Sequence, residues 1–372
     1  MGKKIGIDFG TTNSASMYVD DNGVVRLIEN NEGSYTTSSS VFFDSFTKEF
    51  IVGNMAEEEG VLCPENLLRC IKSMSGDPEC TFNFDGKDYS SQYIVSLILQ
   101  KLISDAEIYF GGEEIDGAVF SIPIYWGTRA KVHFLNAVKS VRTRDGKPLK
   151  ILKIITETGA ISRAYMAYNP GNYQKTILIY DLGGATFDTA IVKLSSAGDE
   201  QKFTVCGCDG CHVTGGMNWT YDLKYYVIEQ YCDLNGEVED DLWERIDPYL
   251  LFLRTESAKC VLSKSESAII PIEFNNGNRE YIRVTREQFE KITQHYLDYT
   301  LSIVDKMLVE HAQTGENDID EIFLVGGACR MPQVERRLKE KYNKPVNVFQ
   351  PELVVAKGAA IVANCSTDTL CD

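Results

Sequence analysis

Two short glycine- and threonine-rich segments carry the clearest chemistry in this chain: Asp8-Phe9-Gly10-Thr11-Thr12-Asn13-Ser14 and Asp181-Leu182-Gly183-Gly184-Ala185-Thr186-Phe187-Asp188. Glycine lets backbone N–H groups come close to an anion, and threonine adds a hydroxyl donor. The aspartate that opens each segment can hold waters of a hydrated cation. A phosphate clamp is therefore written twice, and two such turns facing one another would grip a nucleotide's phosphates from both sides. Ile322-Phe323-Leu324-Val325 runs into Gly326-Gly327, and a helix start follows, which makes a third anion- or nucleotide-facing turn. Hydrolysing a γ-phosphate demands charge neutralisation and an oriented water more than covalent chemistry. A divalent cation, a lysine and a carboxylate near the attacking water are the parts to look for.

The elements that must hold these turns follow from the apolar spacing. Lys4-Ile5-Gly6-Ile7 and Thr176-Ile177-Leu178-Ile179-Tyr180 read as buried strands ending on Asp8 and Asp181. The chain divides into halves of similar plan, residues 1–169 and 170–372, with the turn signal Asn169-Pro170-Gly171-Asn172 between them. In the first half, Ile94, Leu97, Ile98, Leu102, Ile103 and Ala106 form a helical stripe from Gln92 to Phe110, stopped by Gly111-Gly112. A strand over Gly117 to Ile124 comes next. In the second half, Trp219 to Cys232 and Leu242 to Lys264 have helical spacing, and strands are expected around Ile269–Glu273 and Glu280–Val284. Together they make an inserted α/β subdomain over about 210–290. Thr285-Arg286-Glu287-Gln288 has the form of a capping box and opens a helix expected to reach about His311.

With 372 residues the chain has room for about two to three domains and a large core. Its 37 basic and 54 acidic residues, net charge -17, argue against a nucleic-acid surface, so any phosphate must be gripped locally. No window approaches 18 consecutive apolar residues and the N-terminus runs directly into a strand; neither a membrane span nor a signal peptide is expected, and a cytoplasmic location is. Eleven cysteines are scattered through apparent strands and helices, which suits reduced thiols better than a disulfide framework. Cys206-Gly207-Cys208-Asp209-Gly210-Cys211-His212 contains a metal-like cluster and a haem-attachment spacing. It lacks the second ligand pair of a structural zinc site and reads as strand and turn residues.

These motifs, in this order, resemble the ATPase domain of the heat-shock protein 70 chaperones of the DnaK type, within the actin and sugar-kinase superfamily. Gly6 to Ser14 is similar to the family's first phosphate loop and Tyr180 to Asp188 to its second; Val325 to Pro332 is similar to its adenosine turn, and Gly358-Ala359-Ala360 to its closing helix. The resemblance implies an α/β fold of two lobes, duplicated ribonuclease H-like domains around a nucleotide cleft. It also implies ATP or ADP with Mg²⁺, and K⁺ as a second candidate ion. Asp8 and Asp181 match the cation-shell aspartates, which bind largely through water. Lys72 matches the lysine on the transferring phosphoryl group, Glu157 the glutamate near the hydrolytic water, and Thr186 and Asp188 the residues that order that water. Gly10, Thr11, Thr12, Asn13, Gly183, Gly184, Gly215, Gly216, Gly326 and Gly327 would contact the nucleotide. So would Glu256, Lys259 and Ser263, which share one helical face, and Arg330, which matches an arginine stacked on adenine.

The departures are specific. The family's second adenine-stacking arginine stands here as Cys260, which removes one face of a cation–π sandwich. Thr158 replaces a proline, Lys131 an arginine, Met217-Asn218 an acidic pair, and Ala185 the third glycine of the second loop. ATP binding is expected to survive while coupling between domains is weakened or altered. J-domain cochaperones and nucleotide exchange factors are the partners the resemblance implies, with unfolded client peptides if a peptide-binding domain follows. The last residues, Thr369-Leu370-Cys371-Asp372, read as a degenerate stub of the family's apolar linker or as the end of a stand-alone ATPase domain. The expected function is slow, Mg-dependent ATP hydrolysis. The alternatives are an ATP-sensing or filament-forming actin-like protein and a small-molecule kinase of the same superfamily.

Overall fold

In the computed structural model, residues 2–74, 79–198, 200–311, 319–348 and 350–365 are described; Thr369 to Asp372, the expected linker stub, lies outside them. Two compact units are present. The first comprises Met1–Lys175, Val192–Val205 and the segment from Glu352, and the second comprises Thr176–Ile191 and Cys206–Pro351. They are therefore not the contiguous halves 1–169 and 170–372.

In the first unit, Lys3–Asp8 lies centrally in a sheet of order Ile151–Thr156, Ile115–Ile122, Lys3–Asp8, Asn13–Val19, Val25–Leu27, with Thr37–Ser38 also paired to Asn13–Val19. Ile115–Ile122 runs parallel to Lys3–Asp8, and Asn13–Val19 returns antiparallel after the glycine turn. Period-2 alternation sorts the strand. Ile5, Ile7 and Phe9 are fully buried with Ile94, Ile98 and Leu102 of the helix Ser91–Tyr109, whereas Gly6 meets the C-terminal helix Val354–Asn364. A methyl group on Gly6 would strike the backbone of Ala359 and Ala360, and one on Gly358 the carbonyl of Ala160 in the helix Glu157–Tyr168. Small residues thus let the last helix wedge between the strand that ends on Asp8 and the helix that begins with Glu157.

The same strand order recurs around Asp181: Val346–Val348, Glu321–Val325, Tyr173–Leu182, Phe187–Ala197, Glu200–Cys211. Again the central strand has a parallel neighbour on one side, with Asp181 opposite Val325, and its own turn partner on the other. This repetition is the duplicated α/β plan expected from the resemblance. In the second unit follow the helices Gly216–Asn235, Glu239–Trp243 and Pro248–Leu262, the hairpin Ser267–Glu273 with Arg279–Thr285, and the helix Arg286–Glu310 with its Thr285/Gln288 capping box.

The helix expected over Leu242 to Lys264 is two helices. Pro248 cannot donate into a continuing helix and sits at the start of the second, where Asp247 accepts hydrogen bonds from Tyr249 N (2.8 Å) and Leu250 N (3.1 Å). Asp247→Ala should cost about 1 kcal/mol of stability by urea denaturation; an unchanged midpoint would mean that the cap carries no weight. No helix among the described residues is long and apolar enough to cross a membrane. Ten described cysteines are free thiols, and no three His, Cys, Asp or Glu side chains among the described residues gather as a metal site.

Candidate functional site

In the first unit the strand Lys3–Asp8 carries Asp8 into a half-buried position opposite Ser121 of the parallel neighbour, whose hydroxyl donates to Asp8 Oδ1 at 3.0 Å. Burial pushes the Asp8 carboxyl up to about 6; the Lys72 ammonium pulls the other way, Glu157 adds to the rise, and the Ser121 bond lowers it. Lys72 lies in the helical turn Ile71–Met74, just after Cys70, which adopts a left-handed φ of 55°. Its ammonium donates to Glu157 Oε1 at 2.5 Å, and the two side chains are 6% and 13% exposed. Glu157 is the first residue of its helix, where the helix dipole favours a negative charge, and the Thr156 hydroxyl caps that helix by accepting from Gly159 N at 3.0 Å.

The first glycine turn is braced from a distance. Ser39 donates through its hydroxyl to the Gly10 carbonyl (2.8 Å) and through its backbone N–H to the Thr12 carbonyl (2.8 Å), and shares a 2.9 Å hydroxyl bond with Ser14. A side chain on Gly10 would collide with the Asn13 carbonyl. Thr11 is half-buried and Asn13 exposed, while Thr12 Oγ1 is buried with no hydrogen-bond partner among the described residues. Leaving a buried hydroxyl unsatisfied costs about 1–3 kcal/mol, so this is where a polar ligand atom belongs.

In the second unit the turn after Asp181 closes by Gly183 N donating to the Thr186 carbonyl at 2.9 Å. Gly216 N and Met217 N then donate to the carbonyls of Gly183 (3.0 Å) and Gly184 (2.7 Å), which seats the N-terminus of the helix Gly216–Asn235 directly on that turn. Gly215 is required there, since a methyl group would come within 2.6 Å of Ala185 N. Asn218, standing where the family has an acidic residue, caps the helix by accepting from Gly215 N at 2.9 Å. Asp188 follows in the outgoing strand, and Gly210 passes close to it, an added methyl falling 2.9 Å from its Oδ1. Gly326 adopts a φ of 84° and lies so close to Leu182 that a side chain would strike the Leu182 carbonyl; Gly327 and Arg330 bound the short turn that follows, with Arg330 exposed.

The structure gathers Asp8, Gly10, Thr11, Thr12, Asn13, Lys72 and Glu157 within the first unit. It gathers Asp181, Gly183, Gly184, Thr186, Asp188, Gly215, Gly216, Gly326 and Gly327 within the second. The helical face of Glu256, Lys259 and Ser263 is partly committed elsewhere. Lys259 donates to the Gly216 carbonyl (2.8 Å), Thr220 Oγ1 (2.9 Å) and Glu256 Oε2 (2.7 Å), and Glu256 Oε2 also takes a 2.5 Å bond from Thr220. This network ties the helix Pro248–Leu262 to the helix whose N-terminus sits on the second turn. Ser263 turns its hydroxyl back to the Cys260 carbonyl at 2.7 Å, and Cys260 is exposed with its sulfur 3.8 Å from Glu256 Oε1.

In the first unit the orphaned Thr12 hydroxyl, the Gly10 cradle and the Asp8 carboxyl fit a phosphate group with a hydrated divalent cation, and in the second the helix N-terminus at Gly216 fits an anion. Sequence reading missed Ser39, Ser121 and Thr220. The Ser38-Ser39-Ser40 run before the apolar Val41-Phe42-Phe43 was a signal for the first; the other two owe their roles to strand and helix neighbours distant in the chain.

Comparison with known proteins shows the family. The family model described as Hsp70 protein matches residues 4–81 and 70–370. Over 369 residues the chain is 34% identical to the Chaperone protein DnaK of Thermotoga petrophila and 35% identical to that of Thermotoga neapolitana. In both cases 96% of this chain is covered, and it spans 59% of the relative's length. The chain belongs to the Hsp70 family.

Proposed function

We propose that this chain binds ATP with Mg²⁺ and hydrolyses it slowly to ADP and phosphate, as the nucleotide-binding part of a chaperone. The observation that supports it most is the Lys72–Glu157 pair beside Asp8, a buried cation and two half-buried carboxylates where a phosphoryl group could be met. In this reading each glycine turn offers its donors to phosphate. Gly10 to Asn13 and Gly183-Gly184 offer backbone N–H groups, Gly215-Gly216 add a helix N-terminus, and Gly326, Gly327 and Arg330 face the adenosine. Asp8 and Asp181 would hold Mg²⁺ largely through water, and the cation supplies charge neutralisation at the phosphates. Lys72 meets the transferring phosphoryl group, Glu157 takes the water's proton, and Thr186 with Asp188 orients that water.

K⁺ is proposed as a second ion, a J-domain protein and an exchange factor as partners, peptides as clients of a protein that includes a peptide-binding part, and the cytoplasm as the location. Calorimetric titration of ATP with Mg²⁺ and with excess chelator tests the binding. Affinity that collapses on chelation is expected, and cation-independent affinity would overturn the assigned roles of Asp8 and Asp181. Cys260→Arg should tighten ADP binding by about threefold to fivefold, the worth of one exposed cation–π face. Unchanged affinity would mean that adenine does not lie against this helix.

A further inference from the structure

The helix Gly216–Asn235 begins on the second glycine turn, yet Gly215 before it has no side chain with which to cap it. What holds its first residue from the side is Lys259, on the helix Pro248–Leu262. The ammonium has three N–H donors, and the structure gives it three acceptors: the Gly216 carbonyl at 2.8 Å, Thr220 Oγ1 at 2.9 Å and Glu256 Oε2 at 2.7 Å. Thr220 is fully buried, and its hydroxyl, 3.1 Å from the same Gly216 carbonyl, donates to Glu256 Oε2 at 2.5 Å. The Lys259 side chain is 12% exposed. A methyl group on Gly216 would fall 3.2 Å from the Lys259 nitrogen and 3.4 Å from Ala328 Cβ, so this brace lies where the helix start meets the third glycine turn.

We infer that Lys259 is a positioning residue for the phosphate-facing turn of the second unit and not a direct ligand of the nucleotide. Contact with a sugar hydroxyl needs a donor to spare, and all three N–H groups of this ammonium are engaged by protein acceptors. What the ammonium fixes is a carbonyl, and the N–H of the same residue reaches the turn: Gly216 N donates to the Gly183 carbonyl at 3.0 Å, and Met217 N to that of Gly184 at 2.7 Å. Gly183 N closes on the Thr186 carbonyl at 2.9 Å. The bonds thus run from Lys259 through Gly216 into the turn itself. Their other end is firmly seated, because Leu251, Thr255, Ala258 and Leu262 of the lysine's helix are buried. Without the ammonium, the Gly216 carbonyl would lose its tie to the neighbouring helix, and the turn would lose its fixed direction toward phosphate.

The consequence for nucleotides rests on the proposed binding of ATP; the brace itself does not, and the two are tested apart. Lys259→Met is compared with the parent chain, and Thr220→Val, which keeps the shape of the buried side chain and removes its hydroxyl, decides the matter if the first variant folds poorly. Residue-resolved hydrogen–deuterium exchange of nucleotide-free protein follows the Gly216 and Met217 amides, with those of Leu178 to Tyr180 in the central strand as reference. Calorimetry with Mg²⁺ then gives the affinities of ATP and of 2′,3′-dideoxy-ATP. Exchange at Gly216 and Met217 should rise by about tenfold while the strand is unchanged, and both nucleotides should bind about tenfold more weakly to the variant. A merely structural loss would raise exchange in the strand as well, and that result overturns the inference, as does unchanged exchange at the two amides. A loss of affinity that appears with ATP and vanishes with the dideoxy nucleotide makes Lys259 a ribose ligand and likewise overturns it. So does undiminished affinity for both nucleotides beside faster local exchange. If exchange rises locally but the parent chain binds neither nucleotide, the brace stands and the ATP reading falls.

Discussion

Lys72→Ala should bind ATP nearly as well as the parent chain and hydrolyse it about 10² to 10³ times more slowly. The ammonium is one preorganised charge held in a buried site, and removing a single such group from a transition state costs on that order. Its neighbours sharpen the expectation. Without Lys72, the Asp8 carboxyl loses the charge that opposes its upward shift, and Glu157 loses its partner at 2.5 Å. Asp8, already raised by burial and by Glu157, is then driven further toward its neutral form. Lys72→Met, which keeps most of the volume, separates lost charge from lost packing. Single-turnover kinetics with radiolabelled ATP reads the rate, and equilibrium titration reads the affinity. Turnover within about threefold of the parent would remove Lys72 from the chemistry, since a loss that small is less than 1 kcal/mol of barrier.

Gly358→Ala and Gly6→Ala should each destabilise the first unit by about 3 kcal/mol or prevent folding outright. In both cases the new methyl group meets backbone, the Ala160 carbonyl for Gly358 and the Ala359-Ala360 peptide for Gly6, which cannot rotate away as a side chain can. Relief requires moving the C-terminal helix off the strand that carries Asp8 or off the helix that begins with Glu157, so surviving protein should also hydrolyse more slowly. Gly111→Ala is the matched control. Its φ of 67° disfavours alanine, but nothing lies within 4 Å of the added methyl, so only the backbone penalty of about 1 kcal/mol applies. Denaturant midpoints for the three variants check the order. Equal losses at all three would show that the close approach of the C-terminal helix is not what the glycines serve.

The glycine turns are legible in the sequence because their pattern is local. An apolar strand, an aspartate, and a glycine turn with a hydroxyl residue can be read within ten residues, and the Thr285/Gln288 box lies within four. The strand–turn–strand unit could likewise be seen twice, and the two sheets do repeat one strand order. What could not be read depends on partners far away in the chain. Ser39 braces Gly10 across 29 positions and Ser121 reaches Asp8 across 113, distances at which no spacing rule applies. The C-terminal helix joins the first unit because Gly6 and Gly358 permit backbone contact, a reason that appears only once both surfaces exist. Apolar periodicity ran through Asp247-Pro248 and concealed a helix break that the proline itself announced. The face of Glu256 and Lys259 was correctly aligned by spacing, but spacing could not show that Thr220 and the Gly216 carbonyl already engage it.

Single-turnover hydrolysis of bound ATP by the purified chain with Mg²⁺, alongside Glu157→Ala, tests the central claim most directly. The account predicts slow hydrolysis that needs no added acceptor and that Glu157→Ala suppresses while ATP remains bound. Tight Mg-dependent binding with no hydrolysis in the parent chain, or equal rates in the two proteins, would contradict it.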